Sequence, residues 1–316
     1  MNVRVQLPQL QFFSSLPIDS LAALAGSIVC MSFSPIFICL SEMEIGPNAT
    51  AFSRFWIAAV AFGLLNILSS DREKEIPPNS KKPHLVQTAG LLIADGALLS
   101  MGLICWTWSL TQTSVANSSI IHNLIPIFTI LGGWLVMKQN FGRRFLLGML
   151  VAIAGATMLE IDDLLSFNIS KELNGDLAAL LSAVFFGAHP LIAEQLRTNF
   201  NSITIMTWSS TTSSLLVLPV ALIAGEPLFP SSVTGWCSAI ALAVVGQMLG
   251  IGLWTYCLKK LSSGFASLFG LVVPLFSAIE GWAFLSENVS LLSGISFAVI
   301  LLGMYLAISS TYAIKT

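Results

Sequence analysis

Ten runs of about 20 apolar residues dominate this 316-residue chain, near positions 20–41, 46–69, 85–110, 113–137, 143–160, 176–197, 202–224, 233–257, 262–285 and 289–311. A helix rising 1.5 Å per residue needs about 20 such residues to cross the hydrocarbon of a bilayer. In lipid every backbone N–H and C=O must find a partner within the protein, which leaves helices as the form these runs can take. The chain is 55% hydrophobic and only 9% charged, against about 25% charged for a soluble domain. Its surroundings are therefore lipid. A net charge of −2 argues against a nucleic-acid partner. The run after Asp19 is too long for a signal peptide and reads as the first membrane helix.

The chain also repeats itself. Residues 102–155 align without a gap to residues 250–303, with thirteen identities in 54 positions. They include Gly102/Gly250, Trp106/Trp254, Thr107/Thr255, Ser114/Ser262, Pro126/Pro274, Gly133/Gly281, Trp134/Trp282, Asn140/Asn288 and Gly155/Gly303. The first helices of the two copies match at another offset: Ala23, Ser27, Val29 and Pro35 correspond to Ala178, Ser182, Val184 and Pro190. The expected organisation is a first repeat over 1–160, a second over 176–311, and a connecting loop over 161–175.

Lysine and arginine set the expected orientation. With the N-terminus in the cytoplasm, every cation except Lys171 and Arg54 falls in a cytoplasmic segment, including Arg72, Lys74, Lys81, Lys82, Lys138, Arg143, Arg144, Arg197, Lys259 and Lys260. The positive-inside rule thus favours both termini cytoplasmic in a multi-pass protein of the cell (inner) membrane. Five helices per copy is an odd number, so the copies cross in opposite directions. The fold expected is an all-α membrane protein of ten transmembrane helices, arranged as two inverted five-helix repeats. The loops agree: Thr111-Gln112 stands where the other copy has Lys259-Lys260, and Lys138-Gln139 where it has Ser286-Glu287.

Each copy carries a proline late in its first helix, Pro35 or Pro190, and another midway down its fourth, Pro126 or Pro274. Proline cannot donate a backbone hydrogen bond and bends the helix. Prolines at matched positions mark either a packing kink or a substrate pathway.

Ten spans in two halves, a mid-span proline in each fourth helix, an arginine early in the second, and the ending Pro274, Glu287 and Gly303 together resemble the EamA family of the drug/metabolite transporter superfamily. Gln139 departs from it, standing where many members have glutamate. The resemblance implies a carrier, often an exporter of amino acids or related metabolites, that alternates between inward- and outward-open states.

Ionisable groups within spans cost about 2.5–3.5 kcal/mol each on insertion scales and usually face a cavity or a partner. Arg54 and Glu280 are expected at similar depth, either as an ion pair or as two separate cavity groups. Asp95, near the middle of helix 3, suits either reversible proton binding or a hydrogen bond to a neighbouring helix. His122 and His189 serve either a proton or substrate or an interhelical hydrogen bond. Trp106 with Trp108, and Trp254 with Tyr256, form either an interfacial aromatic belt or gates at the two ends of the pathway. Gly246 and Gly250, with Gly252, would let helix 8 approach a neighbour closely. No HExxH, GxSxG, P-loop or zinc-ligand cluster occurs, and the five cysteines form no CxxC pair. The expectation is a transporter rather than an enzyme or sensor on the same scaffold. It needs no metal and no cofactor beyond a coupling proton, takes a small-molecule substrate in a lipid bilayer, and works as a monomer or homodimer.

Overall fold

A computed structural model describes residues 17–69, 85–159, 173–285 and 291–309. Pro77-Pro78, Glu287, Lys171 and the cations of segment 70–84 lie outside these residues, as does most of the loop joining the copies. The described elements are helical. They are α1 (Ile18–Ser32), α2 (Ser34–Glu42), α3 (Pro47–Ser69), α4 (Leu85–Gln112), α5 (Val115–His122), α6 (Ile125–Leu135), α7 (Arg143–Leu159), α8 (Leu173–Leu196), α9 (Ser202–Ile223), α10 (Val233–Ala241), a π-helical stretch (Leu242–Ile251), α11 (Gly252–Cys257), α12 (Ser263–Gly270), α13 (Val273–Leu285) and α14 (Leu291–Ile308). Among the described residues, eight helical paths are long and apolar enough to cross a membrane, and Leu292–Ile308 is a shorter apolar helix. The fifth expected run, 143–160, is α7, 17 residues long and packed against α14.

The helices begin at the offsets found in the sequence. Residues 18 and 47 start helices, and so do 173 and 202, each 155 further on. Residues 85, 115, 125 and 143 start helices, and so do 233, 263, 273 and 291, each 148 further on. Local chemistry repeats with them. Ser114 and Ser262 both cap a helix, accepting from the N–H of Asn117 and Phe265. A serine at this position satisfies one of the N–H groups left over at a helix start.

Matched helices run in opposite directions where they touch. In the α3–α9 pair, Ala49 clusters with Ala221, Phe55 with Val217, and Ala58 and Phe62 with Met206. In the α7–α14 pair, a Cβ on Gly148 would fall 2.5 Å from Gly303 O and from Ala307 N, and one on Gly155 would fall 2.8 Å from Ile300 N. Only glycine lets these two backbones approach so closely. Both pairings are antiparallel, as an inverted repeat requires.

Prolines break three of the paths. The first bends at Phe33, between α1 and α2, with Pro35 in the first turn of α2. The fourth bends between α5 and α6, with Pro126 in the first turn of α6. The ninth bends between α12 and α13, ahead of Pro274. Residues preceding a proline disfavour the helical region, which places each break just upstream. Pro190 instead sits inside the unbroken α8.

The two ends of the bundle differ in charge. At one end Lys260 Nζ meets Asp19 at 2.6 Å, and Arg197 donates to Tyr256 O while lying 5.7 Å from that ring. At the other, Glu226 accepts from Asn48 and from Ala49 N–H, Thr113 donates to Asp176, and Glu44 accepts from Ser231 and Ser232.

Candidate functional site

The four prolines meet in one place. Pro35, Pro126, Pro190 and Pro274 all line a central cavity of about 480 Å³. Each lacks the N–H that would hold the carbonyl four residues earlier, in Met31, His122, Phe186 and Gly270. All four of those residues line the cavity too. Carbonyls deprived of their usual helical donor are thus gathered around one space, that of Met31 accepting instead from the Phe33 N–H.

The lining follows the repeat. Leu103 faces Ile251 across the offset of 148, and Trp106 and Trp254, Ser119 and Ser267, and Asn123 and Leu271 do the same; Ser34 and His189 match at 155. Equivalent positions of both copies therefore enclose the cavity between them.

A second cavity, of about 540 Å³, shares Pro35, Ile38, Arg54, Leu103 and Trp106 with the first. It extends along α2 and α3 to Glu42, Met43, Pro47 and Thr111, at the acidic end of the bundle. Toward the cation-bearing end, Leu258, Leu261, Phe265, Ala266 and Leu268 are buried in one apolar cluster. There Glu194, 2% exposed, accepts from Gln139 Nε2 at 3.0 and 3.2 Å and from the Ser263 N–H at 2.7 Å. The carboxylate ties α8, the turn after α6 and the start of α12 together. A negative charge at that helix start also suits the helix dipole.

Arg54 lines both cavities. Its Nε donates to Gln247 Oε1 at 2.8 Å, and the guanidinium lies 6.0 Å from the Phe55 ring. Of the two alternatives for Arg54 and Glu280, the ion pair does not form among the described residues. Glu280 is 7% exposed and accepts from Ser32 Oγ at 2.6 Å, beside the break in the first helix path. Similar depth did not bring the two together because α3 packs on α9 and the π-helical stretch, whereas α13 packs on α1.

Asp95 is 1% exposed on α4, and His189 Nε2 on α8 lies 3.5 Å from its Oδ1. His189 fronts the cavity, with Asp95 behind it. His122 also lines the cavity, its ring 5.1 Å from that of Trp106 and 5.3 Å from that of Phe186. Trp254 is buried and lines the cavity with Trp106. The belt reading therefore fails for these two tryptophans, which sit on the inward sides of their helices. Trp108 and Tyr256, 51% and 40% exposed, are the outward-facing members of each pair.

Three residues of this region were not anticipated from the sequence. Gln247 is completely buried in the π-helical stretch. Gly246 and Gly250 flank it, and a Cβ on either would meet Ser34 or Met31 of the first helix path within 2.7 Å, the close approach expected of them. A glutamine between two such glycines in an apolar run is the signal that could have found it. Glu194 was detectable as a carboxylate three residues before Arg197, inside a span end. Asn123 lines the cavity at the break before Pro126. Among the described residues, no cluster of three or more His, Cys, Asp or Glu suited to a metal occurs.

The model of the EamA-like transporter family matches residues 20–161 and again 173–309. An uncharacterized transporter of Archaeoglobus fulgidus is 24% identical over 288 residues, covering 90% of this chain and 95% of the relative. The uncharacterized transporter YetK of Bacillus subtilis is 22% identical, covering 90% and 86%. The pseudopaline exporter CntI of Pseudomonas aeruginosa is 24% identical over 201 residues, covering 64% of this chain and 68% of the exporter. A crystal structure superposes with a TM-score of 0.74 at 15% identity, covering 91% of this chain and 96% of its own, which shows a shared fold. With matches over both copies, this multi-pass membrane protein belongs to the EamA-like transporter family.

Proposed function

We propose that this protein is a secondary carrier that moves small metabolites by alternating access, with amino acids or related compounds as the substrate class and export as the direction. The observation that carries this reading is the central cavity, lined at equivalent positions by both inverted copies and by the four matched prolines. A site on the pseudo-two-fold axis can be offered to either side when one copy rocks against the other. The form described is sealed at the cation-bearing end by Glu194 and the apolar cluster beneath it. The second cavity leads toward the acidic end. With cations inside, this is the outward-facing form in an inner membrane, with both termini cytoplasmic. An exporter among the relatives supports the outward direction. The pair Asp95 and His189, one side chain away from the cavity, is the proposed seat of a coupling proton.

The test is counterflow in proteoliposomes against amino acids, sugars and nucleosides, at two pH gradients. Exchange of at least one class by folded protein is the expected result. No exchange across the panel, with the protein shown to be monodisperse, would sink the carrier reading.

A further inference from the structure

The cavity contains a cation with no counter-ion among the described residues. Arg54 has five N–H donors in a planar fork. One is spent on the neutral amide of Gln247. No carboxylate of the described residues lies within ion-pair distance of it. Of the acids within the described helices, Glu280 is engaged with Ser32, Glu226 with Asn48 and Ala49, and Asp95 lies beside His189, while Glu42 shares the second cavity with Arg54 without reaching ion-pair distance. An unneutralised arginine within a span is costly, so such a group usually serves a function.

Its setting is built to hold the fork still. Gln247 is fully buried and carried on the π-helical stretch, where an irregular turn moves one residue out of the ordinary helix register. By fixing Nε, Gln247 orients the guanidinium and leaves its two terminal nitrogens without an acceptor among the described residues, beside the cavity space. Two parallel N–H groups of this kind match the two oxygens of a carboxylate.

The repeat shows that this is a departure and not scaffold. At the offset of 155, the position of Arg54 becomes Ser209, and at 148, that of Gln247 becomes Leu99. The second copy therefore has neither fork nor clamp. Asn123 also lines the cavity, while Trp106, Trp254, Phe55 and Phe186 make much of the wall apolar and aromatic. A substrate with one anionic end and an apolar body meets complementary groups in one orientation only.

We propose that Arg54, held by Gln247, is the anchor for a substrate carboxylate, and that this carrier selects small organic acids, amino acids among them, with a free carboxylate and an apolar side group. The proposal rests on the carrier reading above and deepens it.

The experiment is counterflow in proteoliposomes with matched probes: phenylalanine, leucine and 3-phenylpropionate, each against its primary amide. The wild type is compared with Arg54→Lys, Arg54→Gln and Gln247→Leu. At least one acid is expected to exchange about tenfold or more faster than its amide, the difference that hydrogen bonds to a charged group supply. Arg54→Gln is expected to abolish that preference. Arg54→Lys retains charge but not the fork and falls between, as does Gln247→Leu. Amides exchanged as fast as acids by the wild type, or undiminished acid preference in a folded Arg54→Gln, would overturn the anchor and leave the carrier standing. Exchange of other metabolites with none of these acids has the same effect. Exchange of nothing at all overturns the carrier itself. Should Arg54→Gln fail to yield monodisperse protein, the wild-type comparison of acid with amide decides alone.

Discussion

His189 Nε2 stands 3.5 Å from Asp95 Oδ1, and neither atom has a hydrogen-bond partner among the described residues. Two ionisable side chains from different helices thus share a buried site and front the cavity through the histidine alone. Helix α9 also packs against α4, presenting Ser209, Thr212 and Ser213 near Gly96, none of them charged. Asp95→Asn is expected to remove the response of transport to an imposed pH gradient while leaving downhill exchange. In a double-mutant cycle with His189→Asn, the two changes should be non-additive by about 1 kcal/mol in unfolding free energy. A pH-gradient response that persists in Asp95→Asn counts against the pair.

Glu194 closes the cation-bearing end, and its removal should loosen that end. Glu194→Ala strands the Gln139 amide and the Ser263 N–H, which costs about 1–3 kcal/mol for each buried group left unpaired. Cys257, 0% exposed beneath this closure, reports on it. With Cys30, Cys39, Cys105 and Cys237 changed to serine, maleimide labelling of Cys257 should be several-fold faster in Glu194→Ala. Equal labelling rates would show that the carboxylate does not hold the end shut.

The spans and their pairing into copies were legible because lipid imposes them. A helix that must stay apolar for about 20 residues leaves a run nobody can miss, and the helix starts keep the two sequence offsets residue for residue. The prolines were legible for a related reason, since a missing N–H has the same consequence in any surroundings. What was not legible is azimuth. Counting residues gave Arg54 and Glu280 their height along the helices, but not the side each faces. That was set by neighbours: Gln247 for one and Ser32 for the other. Gln247 was hidden further by the π-helical stretch, whose wider turn breaks the 3.6-residue period on which any assignment of helix faces relies. Trp106 and Trp254 misled for the opposite reason, because closeness to a span end suggested an interface and said nothing of direction.

Glycine substitutions should divide sharply by position. Gly303→Val places methyl groups against Ala152 N and Gly148 O of the partner helix, and overpacking of this kind costs about 1–3 kcal/mol or more. Its melting midpoint in detergent should fall by several degrees, or monodisperse protein should be lost. Gly63→Ala and Gly90→Ala, each with nothing within 4 Å of the added Cβ, should hold or raise the midpoint. A Gly303→Val protein as stable as Gly63→Ala would mean that α7 and α14 do not touch in the membrane.

Outside the spans, Glu44 carries a pH signature. The Ser232 hydroxyl, with the N–H groups of Ser232 and Ser231, holds its carboxyl well below the usual range, at about 2 rather than 4.5. A depressed folded value means that the stabilisation is complete above the ordinary carboxylate range and is lost as pH falls toward about 2. Thermal stability measured from neutral pH downward should therefore fall more steeply in the wild type than in Glu44→Gln. Parallel curves would remove Glu44 from the acid response.

The glycine contact between α7 and α14 has a mechanical consequence. Backbone lies on backbone at Gly148 and Gly303, where no side chain stands between the helices to stretch and keep contact as they part. Such a joint can pivot but cannot open. If one copy rocks against the other, the displacement is smallest at this joint and grows with distance from it, toward the bends beside Phe33, Leu124 and Val272. The two tightest-packed helices then act as a fulcrum, and the proline-bent paths as the arms that expose the cavity.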